Sequence, residues 1–230
     1  MQLTKDQIRQ FEKQGFLIIP EVFTLSEVLE LKQVLGVNSD VHAVRQLFKK
    51  CPDVWVRLCQ HNAFNELLQP LMKDRFAAKS IYFNKPKQAN WFVSYHQDVS
   101  IGVEQKIEAD GFAQWTSKQG QLGVVPPKEI LEELITCRIH LDDTDENNGA
   151  LRVIPGSHQH GILRLNEEST TVDWSSEVCC TVPKGGIMLM KPLLLHASNK
   201  SVSSEERAVV HIEFAASEIP MGWLEKYKMN

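Results

Sequence analysis

The sequence predicts a mainly β fold, a sandwich or barrel of antiparallel strands with helices packed on one outer face. Three observations predict it. From about residue 77 the chain breaks into short β-rich runs, AAKSIYFN, NWFVSYH, ITCRIHLDD, ALRVIP, EVCCTVP, GIMLM and RAVVHIEF, separated by turn-forming segments. These runs are too short and too evenly spread for strand-helix-strand units, which leaves antiparallel pairing as the economical arrangement. Ahead of them, residues 1–75 carry apolar residues mostly at helical spacing.

Taken in order, Thr4 with Gln7 three positions on reads as a capping box, Ile8 and Phe11 as an apolar stripe, and Gly15 as a stop, so a first helix spans about 5–14. FLIIP (16–20) reads as a short buried strand. Thr24 or Ser26 caps a second helix to about Val34, in which Leu25, Val28, Leu29 and Leu31 recur at helical spacing. Two further helical stretches fall near 42–50 and 62–73. Residues 99–133 break the strand rhythm with Gly102, Gly111, Gly120, Gly123, Pro126 and Pro127, alongside Phe112 and Trp115. They read as a long insertion, and residues 99–125 of it as a mobile lid. No composition break marks a second domain. The expected organisation is one domain over 1–230: a mostly helical layer to residue 75, a β core over 76–215 that carries the insertion, and a tail over 216–230.

Composition narrows the class of function. Hydrophobic residues at 43% and charged residues at 23% are ordinary for a globular chain, which excludes a disordered or fibrous one. A formal charge of −4 without a concentrated basic run argues against nucleic acid as the main partner. Five cysteines, an odd number without CxxC spacing and with Cys179 beside Cys180, do not make a disulfide framework and suit a reducing compartment. The first residues, MQLTKDQIRQFEKQGF, hold no apolar run, and IMLMKPLLLHA is interrupted by Lys191-Pro192, so the expectation is a cytoplasmic protein with no membrane span.

Chemistry enters at SYHQDVS (94–100). In a strand, residues i and i+2 face the same way with Cα atoms roughly 6.5 Å apart, so His96 and Asp98 converge on one point while Gln97 faces away. A lone HxD also reads as a strand end entering a polar turn, the commoner case. His196 follows the apolar run PLLL and precedes Ala-Ser-Asn, at the end of a β segment launched by Pro183-Lys-Gly-Gly186. Eleven residues after it comes Arg207, which shares one strand face with Val209, His211 and Glu213, opposite Ala208, Val210, Ile212 and Phe214. An arginine facing into a barrel mouth is costly unless an anion meets it. Arg138 and His140 share a face in CRIHL, either toward the interior or as satisfied polar groups at a strand end. His158 and Asp143 read as structural and His160 as exposed. Trp91, Tyr95, Phe112 and Trp115 either line a pocket or belong to the core.

These residues together resemble the phytanoyl-CoA dioxygenase family of iron(II)- and 2-oxoglutarate-dependent oxygenases. HQD resembles that family's first metal-ligand pair, LLLHASN with the later arginine its distal histidine and cosubstrate arginine, and LDDTDENNGALRVIPGSHQHG (141–161) its linking segment. The likeness runs from about Gly15 to Phe214. It implies a double-stranded β-helix, the cupin-like jelly roll, with the N-terminal helices packed on one sheet. It also implies Fe(II) held by His96, Asp98 and His196, a two-histidine, one-carboxylate set that leaves three positions for a 2-oxo acid and O2. Arg207 would grip the far carboxylate of 2-oxoglutarate as a planar fork, Ser198 would add a hydroxyl, and Asn84 in FNKP would add a polar group nearby. Asn84 reads equally well as a strand-to-turn asparagine.

The implied reaction is oxidative decarboxylation of 2-oxoglutarate to succinate and CO2 coupled to hydroxylation of a small-molecule substrate. No protein partner is implied. Asp98 argues against a halogenase, in which a small residue replaces the carboxylate. The alternative is a metal-binding jelly roll without 2-oxoglutarate turnover, a hydrolase, isomerase or sensor, for which Arg207 would have no purpose.

Overall fold

Helix α1 (Lys5–Gln14) begins at the Thr4/Gln7 capping box and ends at Gly15, whose φ of 82° suits glycine alone without strain. It opens a computed structural model that describes residues 2–36, 41–72, 74–85, 92–118, 120–164, 172–203 and 206–229. Strand β1 (Phe16–Ile19) follows, then α2 (Leu25–Leu35), capped by Thr24 and Glu27 as α1 is by Thr4 and Gln7. The expected helix near 42–50 divides into strand β2 (Ala43–Arg45) and one helical turn, α3 (Leu47–Lys50). Helix α4 (Pro52–Gln60) was not expected, although Pro52 opens it at the position where a missing N–H costs nothing. Helix α5 (Asn62–Met72) completes the layer.

The β body runs β3 (Phe76–Asn84), β4 (Val93–His96), β5 (Ile101–Val103), β6 (Ala113–Lys118), β7 (Gln121–Val125), a short helix α6 (Lys128–Glu133), β8 (Ile135–His140), β9 (Leu151–Val153), β10 (Val178–Cys180), β11 (Ile187–Met190), β12 (His196–Ser198), β13 (Ala208–Ala215) and β14 (Tyr227–Lys228). A large antiparallel sheet has the order β1-β11-β8-β13-β3-β14, with β2 also on β3, and a smaller one the order β10-β9-β12-β4. The chain passes from one sheet to the other between β3 and β4, β8 and β9, β10 and β11, β11 and β12, and β12 and β13. That alternation is the expected jelly roll.

Strand β13 shows how the sequence builds two layers at once. Its residues are buried throughout. Val210, Ile212 and Phe214 join the core under the helices, with Phe11, Val28, Phe48, Phe64 and Leu68. The alternate residues His211 and Glu213 face the space between the sheets with Arg207. Part of that space is filled by Phe16, Leu151, Val153, Val182, Met188, Met190 and Leu194. The remainder is a cavity of about 500 Å³.

Two expectations about organisation need correction. Residues 99–133 are not a long loop: β5, β7 and β6 form a third antiparallel sheet, in which Gly102 pairs with Gly123. A Cβ on Gly123 would lie 2.7 Å from Thr116 Oγ1 and 2.9 Å from Ser100 Oγ, so close strand packing explains this glycine. The sheet rests on Ile101, Val103, Val124, Leu131, Leu134, Met221 and Trp223 and forms one wall of the cavity. The expected tail is likewise built into the fold over residues 216–229, because β14 pairs with β3 and Met221, Trp223 and Glu225 are buried.

Candidate active site

His96 and His196 are direct partners in the antiparallel pairing of β4 with β12, which places their rings 4.2 Å apart. Each ring is fixed by its own backbone. His96 Nδ1 lies 2.9 Å from Ser94 O, and His196 Nδ1 lies 2.8 Å from Leu194 O, both contacts in which the ring donates. A proton on Nδ1 leaves Nε2 with a free lone pair, the form in which histidine binds metals. The two Nε2 atoms stand 3.9 and 3.8 Å from the oxygens of Asp98.

Asp98 lies past the end of β4, so strand periodicity alone does not aim it; its N–H is held by Pro192 O at 2.9 Å. Gln97, expected only to face away, ties the turn down. Its amide donates to Gly161 O at 2.8 Å and Leu193 O at 2.6 Å and accepts from Leu163 N at 2.7 Å. Burial would raise the Asp98 pKa, but His196, His211, Lys79 and His96 outweigh it and hold the carboxyl near 2. Burial takes His196 down to about 4 against the pull of Asp98. Two imidazole nitrogens beside an ionised carboxylate, with ligand atoms within 4.8 Å of one another, make a donor set that fits a divalent transition metal.

Arg207 enters the same cavity just before β13 and is 6% exposed. Its Nη1 donates to Gly149 O at 2.6 Å, its Nε has no partner, and no carboxylate among the described residues pairs with it. Burial, helped by nearby Arg138, takes the guanidinium down to about 9. Ser198, two residues after His196 on β12, lines the cavity and accepts from Lys85 Nζ at 3.4 Å. Asn84 is buried opposite Ala208 and is not among the residues that line the cavity. The neighbouring Lys85 reaches Ser198 and Asn199 O instead, and burial takes its pKa to about 8.

The sequence also missed a polar chain across the large sheet. Arg138 Nη1 lies 3.2 Å from His211 Nδ1, His211 Nε2 lies 3.2 Å from Glu213 Oε1, and Lys79 Nζ lies 2.7 Å from that same oxygen. All four residues line the cavity, and Asp98, His211 and Glu213 form a second group with ligand atoms in close range.

The remaining candidates sit elsewhere. His140 bonds Thr144 Oγ1 at 2.8 Å, Asp143 accepts from Lys184 N at 2.8 Å, His158 bonds Glu12 O at 3.1 Å, and His160 is exposed. Phe112 and Trp115 pack against the core beneath the third sheet, and Tyr95 bonds Glu177 beside Trp174, so none of these three lines the cavity. Trp91 lies outside the described residues.

Known proteins share this fold. The sequence profile of the phytanoyl-CoA dioxygenase family matches residues 11–209. HygX from Streptomyces hygroscopicus with iron bound superposes with a TM-score of 0.68 at 18% identity, over 96% of this chain and 90% of that one. HygX with nickel, 2-oxoglutarate and hygromycin B bound gives 0.65 at 19% identity, over 95% and 90%. EctD from S. alaskensis with 2-oxoglutarate and 5-hydroxyectoine gives 0.67 at 19% identity, over 96% and 80%. No curated protein sequence matches the chain.

Proposed function

The chain belongs to the phytanoyl-CoA dioxygenase family, and from that premise we propose that His96, Asp98 and His196 hold iron(II) while Arg207 and Ser198 bind the far carboxylate of 2-oxoglutarate. It is a non-haem iron oxygenase that uses 2-oxoglutarate and dioxygen, and we take its reaction to be hydroxylation of a small molecule. The convergence of two imidazole Nε2 atoms and one ionised carboxylate at a cavity that also holds Arg207, which has no carboxylate partner among the described residues, carries this reading. Bound there, iron(II) supplies the redox chemistry that splits 2-oxoglutarate into succinate and CO2 while one oxygen atom is inserted into the substrate.

The protein's own groups prepare the site. The Ser94 and Leu194 carbonyls fix both ring orientations before a metal arrives. Gln97 braces the turn that carries Asp98. Arg207 offers its fork to a carboxylate from a place where water screens it little, which strengthens a charge-assisted pair. Lys85 polarises Ser198 and adds positive potential at that end. Small-molecule ligands are bound by the structural neighbours, hygromycin B by HygX and 5-hydroxyectoine by EctD. We place the protein in the cytoplasm, since no two cysteines among the described residues form a disulfide, the adjacent Cys179 and Cys180 included. No helix of the described residues is long and apolar enough to cross a membrane.

The test is anaerobic addition of iron(II) and 2-oxoglutarate, followed by admission of air and assay of succinate. The expected results are a visible charge-transfer band that saturates with 2-oxoglutarate and slow succinate formation without substrate. A protein that binds iron(II) but yields neither would overturn the reading.

A further inference from the structure

Arg138 stands near the middle of β8, 7% exposed, on the cavity wall. Arginine only donates hydrogen bonds, so His211 Nδ1 must accept from it, and the His211 proton lies on Nε2 facing Glu213. Glu213 is held in turn by Lys79, which also donates to Ser100 O at 2.9 Å. The guanidinium is thus oriented by a chain anchored on β13 and β3. Yet its Nε has no partner, and no carboxylate among the described residues forms an ion pair with it. A fixed, buried cation with unused donors is costly unless an anion completes it.

The charges lining the deep cavity show which anion is missing. Lys79 offsets Glu213. With the site loaded as proposed, iron(II) is offset by Asp98 and the near carboxylate of 2-oxoglutarate, and Arg207 by the far one. Arg138 is left over. The same lining also carries Arg45 and Lys118 and one further carboxylate, Glu225, whose own pKa is pushed up to about 7 by burial. The chain as a whole is negative, at −4, so this positive surplus is local to the cavity.

We propose that the substrate is an anion and that Arg138 is the specificity-determining residue that receives its oxyacid group, a carboxylate, sulfonate or phosphate. The inference rests on the iron and 2-oxoglutarate reading above and adds the substrate class. Arg138, His211, Glu213 and Lys79 form its recognition wall; the metal face opposite belongs to His96, Asp98 and His196.

The probe is trifluoromethanesulfonate, a small oxyanion that coordinates metals weakly. Its fluorine relaxation is followed with protein loaded with nickel(II) and 2-oxoglutarate, so that an anion near the metal relaxes fast. Wild type should show saturable enhancement. Arg138→Gln should weaken it at least roughly tenfold, the loss expected for one charge-assisted hydrogen bond. The affinity for 2-oxoglutarate, titrated separately, should not change. Arg138→Lys keeps the charge and should recover part of the binding, which separates lost charge from a damaged fold. Arg45→Gln, elsewhere on the cavity lining and without a place in the Arg138 chain, should have the smaller effect. Absent enhancement in wild type, equal enhancement in wild type and Arg138→Gln, or loss of 2-oxoglutarate affinity in Arg138→Gln would each overturn the proposal, the last by assigning Arg138 to the cosubstrate. Failure of the underlying reading shows separately, as no 2-oxoglutarate binding by the nickel-loaded wild type, and would overturn both.

Discussion

The two main sheets bring different chemistry to one cavity. The smaller sheet supplies His96 and His196, whose rings are oriented by carbonyls two residues away in their own strands. The larger supplies Lys79, Arg138, His211 and Glu213, which depend on one another across three strands, and leads into Arg207 at the start of β13. One side is prepared locally and asks only for a metal. The other gathers positive charge by long-range pairing and leaves guanidinium nitrogens without partners, so it asks for anions. Metal binding and anion binding should therefore fail separately when either sheet is altered.

The largest effect is expected on the smaller sheet. His196→Ala should weaken metal binding by roughly 100-fold or more, because disturbing an outer-shell partner alone costs about 10- to 100-fold. Competition against a chelating dye measures it, and the melting temperature of the metal-free protein should move little. Next, Ile212→Ala on the helix-facing side of β13, where Ile212 is fully buried, should cost about 2–5 kcal/mol in a urea titration. The folded fraction should bind metal and 2-oxoglutarate as before. Smaller again is Arg207→Ala. One lost charge-assisted bond is worth about 1.5–3 kcal/mol, so 2-oxoglutarate affinity should fall at least roughly tenfold while metal binding survives. Arg207→Lys should restore only part, since a point charge does not reproduce the fork.

The last effect, on stability alone, lies at the edge of the large sheet. Glu225 bonds Ser80 on β3 and titrates near 7 instead of 4.5, because burial disfavours its charged form. The folded state then binds the extra proton, and stability falls as pH climbs from 4.5 through 7. Glu225→Gln mimics the neutral form and should remove that fall, on the order of 2 kcal/mol across the window. Urea titrations of both proteins at pH 5 and pH 8 check it; equal slopes would mean that Glu225 ionises freely.

The reach of local pattern explains what the sequence revealed. Strand β13 was legible because its alternation of Arg207, His211 and Glu213 with Val210, Ile212 and Phe214 is a period written in adjacent residues. The caps of α1 and α2 were legible for the same reason. The ligand set was recognised from motif order, yet what brings the two histidines together is the register of β4 on β12, which no local stretch encodes. The chain from Arg138 to Lys79 was hidden because it joins three strands far apart in sequence. Glycines in β5 and β7 suggested a loop, whereas Gly123 reflects strands packed against Thr116 and Ser100. Alternation along β3 keeps Asn84 out of the cavity lining, while Lys85, one residue on, reaches Ser198.

One measurement bears most directly on the central claim that His96, Asp98 and His196 hold a single metal. Crystals soaked anaerobically with iron(II) and 2-oxoglutarate can be measured on both sides of the iron absorption edge. The account predicts one anomalous peak within about 2.0–2.3 Å of His96 Nε2, His196 Nε2 and an Asp98 oxygen, with 2-oxoglutarate running from it to Arg207. A peak elsewhere, or none within bonding distance of all three residues, would contradict it.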